Sequence, residues 1–350
     1  MSRTPDAERP IEVALLGYGL GGASFHAPLI AGTPGMRLAA IMTRDPARRR
    51  AAHERYPDAH LVESIDELWS LAPRVELVVV TTPNDTHAPL ARAALEHDAH
   101  VVVDKPFATR VSDARAVGAL AAARGRLAIP FQNRRWDGDF LTVQRLLREG
   151  VLGDVFRFES RFERWRATPK PRWAADDAIA RGEGIVYDIG PHLIDQALAL
   201  FGPVEQVHAE LDRRNPAVHG EDEAFISLRH VRGVRSHLYM STAAAQSGAR
   251  MSVWGSRGAY LKFGLDVQED ALRAGAVPGG AEWGVEPPER WGWIGMGDDR
   301  RPEPTEAGAY PAFYAAVARA IRNGAPPPVT IDDAIATLEV IDAVFGRSTA

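Results

Sequence analysis

Five short runs of apolar, largely β-branched residues recur between residues 11 and 132, and amphipathic stretches separate them. The runs are IEVALLG, MRLAAIMT, VELVVVTT, HVVVDK and RLAIPFQ, and helical spacing appears in THAPLARAALEHDA and VSDARAVGALAAARG. Continuous apolar runs are typical of strands buried on both faces, and helices between them form parallel crossovers. This region is therefore predicted to be an α/β domain with a doubly wound parallel sheet.

The pattern changes after residue 133. A helix is predicted over 137–150, followed by longer alternating strands in GDVFRFESRFERWR, AFISLRHV, GVRSHLYMSTAA, ARMSVWGS and GAYLKFG. Alternation, with turn signals at VRG and GSRG, predicts a large, mostly antiparallel open sheet with one exposed face. Segment 266–310 is rich in Gly, Pro and Glu and is predicted to form long loops over this sheet. Two helices close the chain, and Thr330 is predicted to cap the second.

A chain of 350 residues suits two domains, which we place at 1–133 and 134–350, the second being α+β. The net charge of −5, with both signs interspersed, provides no basic stripe for nucleic acid. The absence of cysteine excludes disulfides, thiolate metal ligands and thiol nucleophiles. Apolar runs are too short to span a bilayer and the first ten residues lack a signal-peptide core, so we expect a cytoplasmic protein without membrane partners.

A glycine-rich loop, GYGLGG, joins the first predicted strand to a helix. Gly17, Gly19 and Gly22 form a GxGxxG pattern, in which the first glycine makes a tight turn, the second admits a pyrophosphate and the third allows close helix packing. An ordinary glycine-rich turn is the alternative, but the flanking strand and helix favour a dinucleotide-binding Rossmann domain. We expect Tyr18 and Leu20, between these glycines, to contact the cofactor as well.

The end of the second predicted strand, IMTRD, bears on which dinucleotide binds. Thr43 and Arg44 occupy the place where NAD-binding domains carry an acidic residue for the ribose hydroxyl, and an arginine there accommodates the 2′-phosphate of NADP. Asp45 is one position further on and is predicted to cap the next helix. The pattern favours NADP(H) over NAD(H), with a solvated surface charge as the alternative interpretation of Arg44.

Polar residues also follow the VELVVVTT strand. Thr82, Pro83 and Asn84 stand at the carboxyl edge of the sheet, where doubly wound folds bind ligands, and we expect all three to contact the cofactor. Asn84 would also suit a helix N-cap. His87 falls in the first turn of the next helix and is either a wall of the nicotinamide pocket or plain helix surface.

The HVVVDK strand ends in Asp104 and Lys105, directly before Pro106. A following proline favours an extended conformation of the lysine, so that its side chain can leave the sheet edge toward the crevice of the glycine loop. A salt-bridged surface lysine is the alternative. We expect both Asp104 and Lys105 to lie at the cofactor.

In GIVYDIGPHLID, Asp188 and His192 stand four residues apart, on one face of a predicted helix. The pair suits three interpretations: metal ligands, a hydrogen-bonded pair in a core, or two members of a proton relay. Neither cysteine nor an HExxH pattern supplies further ligands, so no metal is expected. A cofactor bound at the glycine loop, with Lys105 nearby, favours the relay.

Together these motifs resemble the Gfo/Idh/MocA oxidoreductases, and the likeness covers essentially the whole chain. It implies that Lys105 is the catalytic lysine, and that Asp188 and His192 are catalytic residues facing the nicotinamide. Asp104 replaces the family's more frequent glutamate, and Glu183 stands where small residues are more usual. The family resemblance is carried by GYGLGG, TPNDTH, DKP, QNRRWD and GIVYDIGPHLID. The details of GYGLGGASFHAPLI, FQNRRWD and YDIGPHLIDQAL look most like the subgroup that includes NADP-dependent scyllo-inositol dehydrogenases.

The resemblance implies hydride transfer between the nicotinamide C4 and a secondary alcohol or ketone of a cyclic, inositol-like polyol or a sugar. A histidine titrates near neutral pH, so His192 is predicted to exchange the hydroxyl proton. Lys105 would stabilise charge on the reacting oxygen, and Asp188 would orient a substrate hydroxyl or the imidazole. Within FQNRRWD, Asn133 is expected at the cofactor and Arg134 at the substrate.

Substrate contacts are also predicted for the RFERWR strand. Arg164 and Arg166 share one strand face, opposite Trp165, and suit either phosphate or carboxylate recognition or a solvated sheet face. Trp291 and Trp293, in segment 266–310, are predicted either to stack on a sugar ring or to fix the loop by packing.

Two other functions stay open: an NAD-dependent glycoside hydrolase, and a non-catalytic regulator that binds the cofactor on the same scaffold. The regulator has no need of Lys105, Asp188 and His192 together. We also expect a homodimer or homotetramer formed through the exposed face of the C-terminal sheet.

Overall fold

The computed structural model describes residues 9–71 and 74–347. Its first sheet has six parallel strands in the order β3-β2-β1-β4-β5-β6, the doubly wound arrangement predicted above. The five predicted runs form five of these strands. The sixth, β3, was not predicted because it has three residues and begins with an exposed histidine. The strands are β1 (Ile11–Leu16), β2 (Met36–Met42), β3 (His60–Val62), β4 (Leu77–Val80), β5 (His100–Val103) and β6 (Ala128–Pro130).

Helices cover both faces of this sheet. The glycine loop leads into a π-helical turn, Gly21–His26, which continues directly into α1. Asp45 caps α2 as predicted, because its Oδ1 accepts the amides of Ala47 and Arg48, both at 2.9 Å. The helices are α1 (Ala27–Ala31), α2 (Pro46–Arg55), α3 (Ile65–Trp69), α4 (His87–Glu96) and α5 (Val111–Arg124), with 3₁₀ turns at Asn84–Thr86 and Asn133–Trp136.

The second sheet has eight strands in the order β14-β13-β12-β11-β7-β10-β9-β8. All neighbours are antiparallel except β7 and β10, so the predicted mostly antiparallel open sheet is confirmed. The VRG and GSRG turns join β9 to β10 and β11 to β12, also as predicted. The strands are β7 (Val155–Glu163), β8 (Val204–Asp212), β9 (Glu223–His230), β10 (Arg235–Ser241), β11 (Met251–Gly255), β12 (Gly258–Lys262), β13 (Gly292–Met296) and β14 (Asp299–Glu303).

The prediction of long loops over 266–310 was wrong. This segment contains a short helix, α9 (Gln268–Arg273), and the hairpin β13–β14, which extends the sheet beyond β12. The glycines of this hairpin interrupt the strand pattern in the sequence. At Gly292 a Cβ would overlap the Tyr260 ring, so only glycine allows that approach. Trp291 donates its Nε1–H to Glu286 O at 3.3 Å, and Trp293 lies beneath Arg300, so both rings have partners within the segment.

The helices of the second domain pack on the second sheet and on the first domain. Thr330 and Asp333 form a reciprocal capping box at the start of α11, which confirms the predicted cap. No helix among the described residues is long and apolar enough to cross a membrane. The helices are α6 (Gly138–Glu149), α7 (Ile185–Asp188), α8 (Gly190–Phe201), α10 (Pro311–Asn323) and α11 (Ile331–Val344), with 3₁₀ turns at Pro171–Ala174 and Pro288–Arg290.

The apolar core joins the two domains. One cluster is continuous from Val103 of the first sheet, through Leu193 of α8, to Phe158 of the second sheet. A second cluster covers the other face of the first sheet and includes Phe313 and Tyr314 of α10. Helix α10 therefore packs back on the first domain. Close packing fixes the position of the two domains on either side of the crevice between the sheets.

Candidate active site

The geometry of the glycine loop explains each of its three glycines. Gly17 has a φ of +99°, and a Cβ there would lie 2.8 Å from the carbonyl oxygen of Thr81. A Cβ at Gly22 would overlap Gly17 O, so this glycine allows the close packing of loop and helix. Above Gly19 the space is open, since the nearest atom to a Cβ would be Arg48 Nη1 at 3.8 Å. The loop thus fits the pyrophosphate of a dinucleotide, with Tyr18 buried beneath it and Leu20 exposed.

After β2 the chain carries a cation, Arg44, and the neighbouring acid, Asp45, already accepts hydrogen bonds. Arg44 is exposed, and its Nε donates to Glu63 O at 3.0 Å. Thr43 is buried beside it. The Asp45 carboxylate accepts the α2 amides, and the hydrogen bond from the Arg48 amide lowers the pKa of Asp45.

The loop after β4 differs from the sequence interpretation at two residues. Asn84 does not cap a helix through its side chain; its Nδ2 donates to Gly182 O at 2.7 Å, which ties this loop to the second domain. His87 is not surface, because it is only 1% exposed. Its ring nitrogens lie 2.7 Å from Pro106 O and 2.8 Å from Thr82 O. Burial lowers the pKa of His87. Its ring lies between a carbonyl oxygen of the loop after β4 and one of the loop after β5.

Lys105 and Asp188 meet across the crevice. Lys105 Nζ donates to the carbonyl oxygen of Asp188 at 2.6 Å and to its Oδ1 at 3.2 Å. Lys105 comes from the end of β5, and Asp188 from the end of α7, so each domain supplies one partner. The carboxylate is nearly buried. Lys105 is thus salt-bridged, as the alternative interpretation had it, but to a buried carboxylate of the second domain, and only 20% of its side chain is exposed.

Two further cations, Lys170 and Arg172, reach the same carboxylate. Lys170 Nζ bonds Asp188 Oδ2, and Arg172 Nη2 lies 3.5 Å from Oδ1. Arg172 also pairs with the buried Glu183, Nε to Oε2, at 2.6 Å. Burial of Asp188 raises its pKa, but Lys105, Lys170 and Arg172 outweigh burial and hold that pKa well below its usual value. Asp188 is therefore ionised.

Sequence reasoning missed Lys170 and Arg172. Lys170 lies between two prolines, and Arg172 lies in the short 3₁₀ turn that follows, where no helical or strand periodicity is visible. One compositional signal could have found Lys170. Among 41 basic residues the chain has only three lysines, Lys105, Lys170 and Lys262. The amine of each lysine lies next to a buried carboxylate, which is Asp188 for the first two and Glu286 for the third.

His192 lies in the first turn of α8, almost buried. Burial and the charges of Arg134 and Lys105 hold the pKa of His192 well below its ordinary value, so the imidazole is neutral. Its Nδ1 is buried and without a hydrogen-bond partner. Within residues 9–71 and 74–347 no hydrogen bond joins His192 to Asp188, whose carboxylate is engaged by the cations instead. Direct orientation of the imidazole by Asp188, one of the two roles predicted for it, is not seen.

Arg134 and Asn133 follow β6, in the 3₁₀ turn, and both are buried. Both terminal nitrogens of Arg134 bond protein carboxylates: Nη1 lies 3.3 Å from Asp137 Oδ2, and Nη2 lies 2.7 Å from Glu269 Oε2. A buried guanidinium needs such anionic partners because it cannot lose its proton. The structure thus places Arg134 in an internal ion network, and its contact with substrate stays a prediction.

A second missed group lies behind Lys105. Asp104 Oδ1 accepts the Lys105 amide at 2.8 Å, and its Oδ2 lies 3.7 Å from His26 Nε2. The fully buried His26 is hydrogen-bonded through Nδ1 to the hydroxyl of Tyr314, at 2.6 Å. Burial raises the pKa of Asp104, but the neighbouring His26 outweighs it, so the pKa is lowered. No local pattern indicates this chain of polar groups, because His26 stands among the apolar residues of a helix pattern.

A dinucleotide loop facing a crevice that joins a lysine, a carboxylate and a neutral histidine defines an NAD(P)-dependent oxidoreductase acting on CH–OH groups. The family models agree: "Oxidoreductase family, NAD-binding Rossmann fold" matches residues 11–131, and "Oxidoreductase family, C-terminal alpha/beta domain" matches residues 144–349. The chain belongs to the Gfo/Idh/MocA oxidoreductase family.

Similar proteins span nearly the full chain. The uncharacterized oxidoreductase YdgJ of Escherichia coli is 42% identical, over 95% of this chain and 94% of YdgJ. The scyllo-inositol 2-dehydrogenase (NADP+) IolW of Bacillus subtilis is 34% identical, over 97% of this chain and 94% of IolW. The solved structure of YPO2259 from Yersinia pestis superposes with a TM-score of 0.88 at 42% identity, covering 97% of this chain and 95% of that one.

Proposed function

We propose that this enzyme transfers a hydride between NADP(H) and a secondary alcohol or ketone of a cyclic polyol or a sugar. The observation that carries the proposal is the Lys105–Asp188 hydrogen bond across the crevice, next to the neutral His192. The names of IolW, a scyllo-inositol dehydrogenase, and of a D-apiose dehydrogenase from Paraburkholderia graminis that is 31% identical over 71% of this chain support the substrate class.

The bound nicotinamide supplies the hydride acceptor or donor. Lys105 donates a hydrogen bond to the reacting oxygen and stabilises negative charge that develops there. His192, being neutral, accepts the hydroxyl proton in the direction of oxidation and returns it in the direction of reduction. Asp188 holds Lys105 and Lys170 in place by hydrogen bonds to both amines.

The proposal is tested by measuring NADPH formation and consumption with inositols, aldoses and their keto forms. Turnover of at least one polyol or sugar is expected. Absence of turnover throughout the panel, by a folded protein that binds NADPH, would contradict it and favour the non-catalytic regulator.

Arg44 is proposed to select NADP(H). Charge-assisted hydrogen bonds contribute about 1.5–3 kcal/mol, so Arg44→Gln is expected to weaken NADPH binding by about 10- to 100-fold. NADH binding should stay nearly unchanged, because NADH lacks the 2′-phosphate. Fluorescence titration with both cofactors measures this, and Arg50→Gln, an exposed arginine of α2, is the matched control. Equal weakening for NADH would refute the assignment.

Lys170 is expected to give the site a titration near neutral pH. Burial lowers the pKa of Lys170 to about 8, although the Asp188 carboxylate opposes this shift. As pH rises through about 8 the amine becomes neutral, so positive charge around the reacting oxygen falls. We expect kcat/KM for ketone reduction to fall over that range, and the Lys170→Met enzyme to lack this decline.

Lysine-selective NMR checks the assignment of this titration, because the chain yields only three lysine side-chain signals. The signal lost in Lys170→Met should be the one that titrates near pH 8. A wild-type profile in Lys170→Met would overturn the role of Lys170.

We also propose that the outer face of the second sheet mediates self-association. Arginines lie over aromatic rings there: Arg157 lies 3.9 Å from the Trp254 ring centre, and Arg161 lies 3.6 Å from that of Tyr239, which also packs on Phe225. Such rings and arginines are the residues enriched in protein interfaces. Sedimentation of the protein in solution measures whether a dimer or tetramer forms.

A further inference from the structure

We propose that the substrate carries an anionic oxygen group, a carboxylate or a phosphate, and that Arg164 binds it. This inference rests on the proposed function and narrows its substrate class. It is carried by the placement of Arg164, by the state of its guanidinium, and by the excess of cations around Asp188.

Arg164 directs its side chain to the inner side of the second sheet. Its amide donates to Ser241 O at 3.0 Å, and the Arg166 amide donates to Thr242 O at 2.8 Å, so strand pairing continues past the end of β7. Side chains alternate along a strand, and Arg164 lies on the face of the buried Phe162, 5.4 Å from its ring centre. Trp165, between the two arginines, points outward and is 65% exposed. The predicted alternation is thus confirmed.

The guanidinium of Arg164 is half-buried and has no carboxylate partner. Among the residues that the structure describes, no side-chain hydrogen bond or ion pair of Arg164 is formed. Burial lowers the pKa of Arg164 and the charge of Asp188 opposes this shift. Because arginine does not lose its proton, partial burial leaves an uncompensated cation. The neighbouring Arg134 shows the contrast, since it has two carboxylate partners.

Charges around the site do not balance without an added anion. Lys105, Lys170 and Arg172 converge on Asp188, and the second carboxylate, Glu183, is shared with Arg172. Arg164 acts electrostatically on Asp188 and on Glu269, but Glu269 is already paired with Arg134 and Arg273. Four cations, Lys105, Lys170, Arg172 and Arg164, are thus left with the two carboxylates Asp188 and Glu183. Burial also raises the pKa of Glu183, which makes ionisation of this carboxyl less favourable. A neutral polyol adds no charge, whereas a carboxylate or phosphate compensates the excess.

A further buried group without a partner lies beside this excess charge. His192 Nδ1 has no hydrogen-bond partner, although the residue is only 6% exposed. The charges of Lys105 and Asp188 both act on its imidazole. Buried polar atoms are nearly always satisfied in native proteins. A bound polar ligand beside Lys105 would satisfy the imidazole.

The test compares matched ligands on the NADPH-loaded enzyme by isothermal titration calorimetry. The pairs are D-glucuronate with D-glucose, and myo-inositol monophosphate with myo-inositol; the alcohols form non-reacting complexes with the reduced cofactor. We expect the acidic member of at least one pair to bind about 10-fold tighter, as one charge-assisted contact implies. The preferred pair distinguishes carboxylate from phosphate. Raising the salt concentration should reduce the preference.

Arg164→Gln should abolish the preference and leave the neutral ligand's affinity unchanged. Arg232→Gln, at the exposed turn between β9 and β10, is the matched control and should behave as wild type. Equal affinity within both pairs would overturn the inference, and so would an Arg164→Gln enzyme that loses acidic and neutral ligands alike. The proposed function is judged separately. Turnover of neutral polyols alone would support the function and refute the anionic substrate. Binding of the acidic ligands without turnover of any compound would contradict the function and, with it, a substrate role for the anion bound at Arg164.

Discussion

Replacing Lys105 with methionine is expected to lower kcat/KM for polyol oxidation by about 10²- to 10⁴-fold, the usual range for a positioned acid or base. The ammonium now lies 2.6 Å from the carbonyl oxygen and 3.2 Å from the carboxylate of Asp188, where it can also reach a bound hydroxyl. Methionine keeps the length of the side chain and removes both charge and donors. Steady-state kinetics with the best substrate of the panel measures the effect.

Lys105→Arg is the informative partner of that variant. It retains the charge, but its planar fork cannot occupy the place of a compact ammonium, so an intermediate loss is expected. NADPH binding should stay within a few-fold of wild type in both variants, since the glycine loop is untouched. A folded Lys105→Met enzyme with wild-type kcat/KM would remove Lys105 from the mechanism.

The largest effect on stability is expected at Lys262. This lysine is fully buried on β12 and donates to Phe263 O at 2.8 Å and to Glu286 Oε1 at 3.3 Å. Lys262→Met leaves the buried Glu286 carboxylate with only the half-exposed Arg290, whose Nε lies 3.8 Å from Oε1. Loss of a buried partner costs about 3–5 kcal/mol of unfolding free energy, and we expect the lower end of that range. Equilibrium unfolding in urea, followed by tryptophan fluorescence and circular dichroism, measures this change.

The double variant Lys262→Met, Glu286→Gln tests the cause. Removing the second charge should restore most of the stability, because replacement of a whole buried pair is often nearly neutral. If the double variant is as unstable as Lys262→Met, packing rather than charge explains the loss. Exchanging Arg232, an exposed arginine, for methionine should leave the unfolding curve unchanged.

The first domain was predictable because each of its features leaves a local trace. Strands such as β4 and β5 are buried on both faces and therefore read as unbroken valine runs. The glycine positions follow from backbone contacts, as the overlap of a Gly22 Cβ with Gly17 O illustrates. These constraints act within a few residues, so the sequence pattern contains them.

The second domain and the site depend on long-range packing that leaves no such trace. The β13–β14 hairpin is paired on one side only and contains glycines and a proline, which mask its strand pattern. Lys170 reaches Asp188 only because the loop after β7 folds back over α7. Arg134 stands in the FQNRRWD motif and pairs with Asp137 of that motif, but its second partner, Glu269, is 135 positions away and no local pattern connects the two.

The hydrogen bond between His26 and Tyr314 joins residues 288 positions apart. During synthesis the glycine loop and Lys105 leave the ribosome long before α10 does, and domains fold from the N-terminus onward. An early first domain therefore holds His26 and Asp104 without the hydroxyl that fixes them. The surroundings of Lys105, the proposed catalytic lysine, are therefore completed only after α10 has folded, so an incomplete chain carries these groups without an assembled site.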